Sequence, residues 1–179
     1  MIKVLILATN GFEQSELMEP MKRLNDAGIT TRIASIDKED ITGWKDKNWG
    51  DSVKVNLTLD DVSVGDFDAL LLPGGQMNPD ILRMNSKAID IVRLFHSSGK
   101  PVAAICHAPW LLAEADILKG KTVTAWPSIR TDLANAGANV VDQEVAEDGN
   151  LITSRMPDDI PAFTSALIAQ LKNDVQKAA

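Results

Sequence analysis

A single cysteine, Cys106, stands directly before one of the chain's two histidines, His107. It ends the apolar run "PVAAI" (101–105) and is followed at once by "APWLLAEADIL" (108–118), which has helical spacing. A strand that turns straight into a helix places its junction residue at an elbow, where α/β enzymes present a nucleophile. Such a tight turn exposes Sγ, while unpaired N–H groups and the positive end of the helix dipole favour thiolate over thiol. The His107 N–H points to the space beside the sulfur, where it could help hold an oxyanion. Free cysteines are often small, inert core residues, but placement at a strand end beside a histidine argues for chemistry.

Two other turns carry groups suited to that chemistry. In "LLLPGGQ" the pair Gly74-Gly75 lets backbone approach closely and aim N–H groups into a site, which makes the Gly75 N–H a second candidate oxyanion donor. In "NGFEQSEL" Glu16 opens the first helix just past the first strand, within reach of a cysteine on a neighbouring strand. The alternative for Glu16 is a solvated first-turn carboxylate that favours the helix dipole. Glu13, nearer the turn, is the weaker candidate. A protonated carboxyl beside the sulfur donates to a thiolate, whereas an ionised one raises the thiol pKa. One cysteine and two histidines without ligand spacing do not make a zinc site, and no cofactor is implied.

The elements that must position these groups alternate along the chain. Strands are expected at 2–8, 30–36, 67–75, 101–105 and 121–126, with two short ones near 139–147 and 151–154. Helices are expected at 15–28, 78–85, 86–100, 108–118, 128–137 and from about 158 to 172. Asn78 reads as a helix cap with Pro79 behind it, Pro20 as a first-turn proline, and Leu94-Phe95 as inward-facing. The stretch 37–59, with Trp44 and Trp49, reads as an irregular excursion or hairpin. Trp44, Trp49, Trp110 and Trp126 are core or interface residues by default; Trp126, after the strand next to the elbow, is a candidate for lining the site. The pattern predicts a three-layer α/β sandwich, a mostly parallel sheet with helices on both faces. In such sheets reactive groups gather beyond the carboxyl ends of the strands. The turns 8–16, 73–80 and 106–109 all meet that condition.

The totals narrow the field. With 179 residues the chain is expected to form one domain over 1–179. A formal charge of −7 argues against a nucleic-acid or anionic-membrane surface. One cysteine builds no internal disulfide, and neither a signal peptide nor a membrane span is legible, so a cytoplasmic location is expected.

The segments "LLLPGG…NPDILR" and "AAICHAPWLLAEA" together resemble the PfpI family of intracellular cysteine hydrolases. That family belongs to the ThiJ/PfpI group, which includes a Parkinson-disease-associated protein deglycase and is related in fold to class I glutamine amidotransferases. The likeness extends through "WPSIRTDLANAGA" and "LITSRMPDDIPAF". It implies a flavodoxin-like, amidotransferase-like fold, Cys106 as nucleophile, His107 as its partner and Glu16 beside the sulfur. It also implies a homodimer or higher homo-oligomer with the site near a subunit interface, since Asp80 matches a position where some members orient the histidine from a neighbouring subunit. The late histidine of the amidotransferase triad is replaced here by Met156, and His96 lies within a surface helix, so glutamine hydrolysis by that triad is not expected.

The expected function is a cysteine-dependent, hydrolase-like stress protein acting on activated carbonyls, by glyoxalase, protein-deglycase or intracellular peptidase chemistry. The substrate is then a small carbonyl compound or a peptide. The alternative is a stress-response redox sensor or holdase chaperone with an oxidisable Cys106, and a plainer one is a non-catalytic oligomerisation domain.

Overall fold

In the computed structural model, which describes residues 1–178, seven strands form one sheet. They are β1 (Lys3–Leu7), β2 (Thr30–Ser35), β5 (Leu57–Thr58), β6 (Ala69–Leu72), β7 (Val102–Ile105), β10 (Ala146–Asp148) and β11 (Leu151–Ser154). Their order is β10-β11-β7-β6-β1-β2-β5, parallel throughout except for β10 against β11. From β1 the chain moves outward to β2 in one direction, then returns to β6 and proceeds to β7 in the other. The crevice between β1 and β6 is therefore the topological switch point, where the carboxyl ends of open α/β sheets admit ligands.

Alternation within each strand decides the layering. Val4, Ile6, Leu71, Ala103 and Ile105 face one side of the sheet; Leu5, Leu7, Leu70, Leu72, Val102 and Ala104 face the other. The first face is covered by α1 (Gln14–Asp26) and α6 (Ile160–Ala178), through Leu17, Leu24, Phe163, Leu167 and Leu171. The second is covered by α2 (Met77–Arg83), α3 (Ser86–Ser97), α4 (Pro109–Glu114) and α5 (Arg130–Asn135). Both faces being buried explains why the strands read as unbroken apolar runs. Each fully buried leucine or phenylalanine stabilises the fold by about 1.5–3 kcal/mol. Among the described residues no helix is long and apolar enough to cross a membrane.

Several local expectations change. Pro20 lies in the second turn of α1, buried, and leaves the Glu16 carbonyl without its intrahelical donor. Leu94 is 54% exposed; the inward stripe of α3 is Ala88, Ile89, Ile91, Val92 and Phe95. Of the apolar run 121–126, only β8 (Thr122–Val123) is strand, and it pairs with β9 (Asn139–Val140) outside the main sheet. The stretch 37–59 contains a hairpin of β3 (Ile41–Lys45) and β4 (Asn48–Val53). Its two-residue turn, Asp46-Lys47, has positive φ at both positions (49° and 65°), the geometry that matches strand twist. Trp44 and Trp49 pair across it edge to face, with ring centroids 5.4 Å apart.

Candidate active site

Cys106 follows β7 with φ of 65°, a left-handed conformation that costs a non-glycine residue about 1–2 kcal/mol. The backbone on both sides is pinned: the Cys106 N–H donates to Ser154 O at 3.0 Å, and the Trp126 N–H donates to Cys106 O at 2.9 Å. The helix behind the elbow is shorter than 108–118. It runs from Pro109 to Glu114, less than two turns, so the field at the sulfur comes from nearby N–H groups more than from a long dipole. Nor is the thiol freely exposed: Cys106 is 6% accessible.

The left-handed turn brings the neighbouring side chains together. His107 Nδ1 lies 3.2 Å from Cys106 Sγ. Its ring stacks on Trp126 at 5.8 Å between centroids and meets Trp110 edge-on at 5.3 Å. Nε2 makes a long contact of 3.5 Å to Ser128 Oγ. Burial among these rings lowers the His107 pKa, so the imidazole is neutral at neutral pH and holds no thiolate by ion pairing.

Glu16 is fully buried, which removes the solvated alternative. Its Oε2 accepts from the Gly74 N–H at 2.9 Å, and Oε1 has no hydrogen-bond partner. Burial, and then the charge of Glu13, push the carboxyl up to about 8, against the hydrogen bonds from Cys106, Gly74 and Gly75. Burial and an ionised Glu16 likewise push the Cys106 thiol up, while the Gly75 and His107 N–H groups pull it down. Two anions are strongly disfavoured in so dry a space. At neutral pH Glu16 keeps its proton, and the neutral carboxyl does not repel negative charge developing on the sulfur.

The glycine loop is shaped around this pair. A Cβ on Gly74 would stand 2.5 Å from Glu16 Oε2, 2.6 Å from Ile105 O and 2.7 Å from Cys106 Cβ. Gly75 has φ of 85°, and its missing Cβ would lie 2.6 Å from Gly11 O and Glu13 N. Asn78 does not cap α2, which starts at Met77. Its buried side chain accepts from the Thr9 N–H (2.8 Å) and donates to Pro73 O (2.8 Å) and Gly74 O (3.2 Å), tying the β6 exit to the β1 exit.

These groups line one cavity of about 230 Å³, in which Glu13, Glu16, Gly75, Cys106, His107 and Trp126 meet. Trp44, Gln76 and Pro157 complete its walls, and none of the three was expected from sequence. The available signal for Trp44 was the tryptophan pair flanking a two-residue turn. Asp80 is not brought to the cavity by its own chain; it is exposed on α2. Beside Met156, where a late histidine would stand, Arg155 grips Asp159 (2.9 and 3.0 Å) and Asp142 (2.9 Å). An ion-pair network occupies that corner in place of an imidazole.

The Glu16 carboxyl ionises near 4.5 ordinarily and near 8 in the fold, so folding takes up a proton between those values. Its contribution to stability is complete below the lower value and is lost as pH rises through the upper one. Glu16→Gln cannot ionise. Its stability relative to wild type should therefore climb between pH 5 and 8, by on the order of a few kcal/mol, as read from urea midpoints across that range. A difference independent of pH would contradict the buried, protonated carboxyl.

Comparison with known proteins follows the same outline. The DJ-1/PfpI family model matches residues 2–170. The chain is 46% identical over 171 residues to "Deglycase PH1704" of Pyrococcus horikoshii, covering 96% of this chain and 100% of that protein. It is 44% identical over 171 residues to "General stress protein 18" of Bacillus subtilis, covering 95% and 98%. The crystal structure of Drosophila melanogaster DJ-1beta superposes with a TM-score of 0.86 at 31% identity, covering 95% of this chain and 90% of that one. With its sheet order, its cysteine elbow and these likenesses taken together, the chain belongs to the DJ-1/PfpI family.

Proposed function

We propose that this protein is a cysteine-dependent enzyme acting on activated carbonyls, of glyoxalase or deglycase type, with Cys106 as nucleophile. The observation that carries the reading is the strained elbow: Cys106 at φ 65° with Sγ 3.2 Å from a neutral imidazole, in a cavity shared with a protonated carboxyl. The deglycase name of a relative 46% identical points the same way.

The chemistry fits what the site offers. The Sγ electron pair adds to the aldehyde carbon of an α-oxoaldehyde, and the carbonyl electrons move to oxygen, facing the Gly75 and His107 N–H groups. The hemithioacetal then passes its C–H proton through the neutral His107 to the adjacent carbonyl carbon and its O–H proton to that carbonyl's oxygen, leaving the thioester of a 2-hydroxy acid. Water hydrolyses the thioester and frees the thiolate. For an adduct of such an aldehyde with an amine, the sulfur takes the place of the nitrogen, and the amine leaves with a proton from His107. A peptide amide asks more, because its poor leaving group needs full protonation by the one imidazole at hand. Peptidase activity is therefore the slower branch of the same chemistry.

Turnover of methylglyoxal is the test: lactate should accumulate far beyond one equivalent per chain. Consumption that stops at one equivalent, with the sulfur oxidised by peroxide to a sulfinate that Glu16 stabilises, would favour the stress-sensor alternative. That alternative draws on the unpartnered Glu16 Oε1 and on the stress-protein relative. The proposal includes a homo-oligomer in which Asp80 of one copy faces His107 of another. Asp80 is exposed, and Ile81 and Met84 beside it are 42% and 87% accessible. A monomer in sedimentation equilibrium would remove that part.

A further inference from the structure

The two backbone donors of the glycine loop belong to consecutive peptide planes, and each plane carries a carbonyl on its far side. The Gly74 N–H, which binds Glu16 Oε2 at 2.9 Å, shares its plane with Pro73 O. The Gly75 N–H, which faces the Cys106 sulfur and pulls the thiol pKa down, shares its plane with Gly74 O. Among the described residues no peptide bond is cis, so in each plane the N–H and the C=O point in opposite directions. Whatever holds the carbonyls therefore aims the donors.

Both carbonyls are held by one side chain. Asn78 Nδ2 donates to Pro73 O (2.8 Å) and to Gly74 O (3.2 Å), and its Oδ1 accepts from the Thr9 N–H (2.8 Å), which fixes the rotation of the amide. The residue is 0% exposed, so solvent does not compete for these bonds. The Gly74 carbonyl has one further donor, the Glu13 N–H at 3.2 Å. The second plane needs such holding, because it lies between two glycines, which take positive and negative φ about equally. Gly75 stands at φ 85°. Turning the plane over carries it to negative φ at little steric cost, and aims a carbonyl oxygen at the sulfur in place of the N–H. Nothing in α2 itself asks for asparagine at this position. None of its side-chain bonds caps the helix, asparagine is a poor helix former, and helical conformation is disfavoured before a proline.

We propose that Asn78 is a positioning residue that locks both planes, keeping the Gly74 N–H on the carboxyl and the Gly75 N–H on the sulfur. Its effect on the thiol stands by itself. Its effect on turnover rests on the carbonyl chemistry above, in which the Gly75 N–H holds the oxyanion.

Asn78→Ser and Asn78→Ala are small enough to admit a water to the freed groups, and neither adds charge. In both, the pH profile of Cys106 alkylation by iodoacetamide should move to higher pH, with the rate at about pH 8 falling about tenfold. Asn85→Ala, which removes the cap of α3 away from the site, should lower Tm without moving the profile. Profiles that stay in place, move to lower pH or move equally in all three variants would overturn the lock. So would Asn78 variants that do not fold, since the residue would then be a pillar of the whole sheet. For methylglyoxal, kcat should fall about a hundredfold with KM changed less than about threefold, because the donor acts on charge that develops in the transition state. An unchanged kcat, whatever KM does, would overturn the lock too. If the alkylation profile moves in the variants while the wild type turns over no carbonyl, the lock stands and the carbonyl reading falls.

Discussion

Replacing Cys106 with serine should lower kcat/KM for methylglyoxal by about a thousandfold or more, while Tm stays within a few degrees of wild type. The oxygen that replaces Sγ keeps the position but not the chemistry. An alcohol is far harder to ionise than a thiol, and the neutral His107, with burial lowering its pKa, is a weak base for it. The fold should tolerate the change, because the elbow is held through backbone groups, by Ser154 O and the Trp126 N–H, and not through sulfur. A serine variant that kept more than a tenth of wild-type turnover would show that the sulfur is not the nucleophile.

Gly74→Ala should be strongly damaging to both stability and activity. No positive φ is at issue at this position; the obstacle is steric. The added carbon falls 2.6 Å from the Ile105 carbonyl, a backbone atom at the carboxyl end of β7, as well as on Glu16 Oε2 and Cys106 Cβ. Relief requires the glycine loop to move away from the carboxyl it hydrogen-bonds. We expect a loss of about 2–4 kcal/mol in urea unfolding and more than about a hundredfold in kcat/KM. Gly99→Ala, where the new methyl meets nothing within 4 Å, should cost about 1 kcal/mol from its positive φ alone and leave catalysis intact. Equal stability of the two variants would refute the close packing of loop, carboxyl and thiol.

Most of the architecture and the chemical centre can be read from the chain because both are written locally. Buried parallel strands are continuous apolar runs, and a Cys-His pair between such a run and a helix marks an elbow without any knowledge of the rest. What resists reading is set by distant partners. Asn78 looks like a cap because it precedes Pro79, yet its side chain serves Thr9, Pro73 and Gly74. The run 121–126 looks like a strand because Val123 and Ala125 are buried, but past Val123 the backbone is claimed by the Thr153 side chain and by Cys106 O. Trp44 looks structural because nothing near it in sequence is reactive. It reaches the cavity only because the hairpin docks on Phe12 and Gly11. Leu94 follows the inward period by number but sits at the edge of the buried arc of α3, where solvent reaches it.

The elbow's two backbone ties have a consequence for how the protein is made. Ser154 and Trp126 both follow Cys106 in the chain, and the strand carrying Ser154 also forms the lateral neighbour of β7. Until that strand leaves the ribosome, the Cys106 N–H lacks its acceptor and the left-handed turn lacks one of its two ties. The site geometry is therefore completed only once β11 has been made, and a product terminated before it lacks the Ser154 tie.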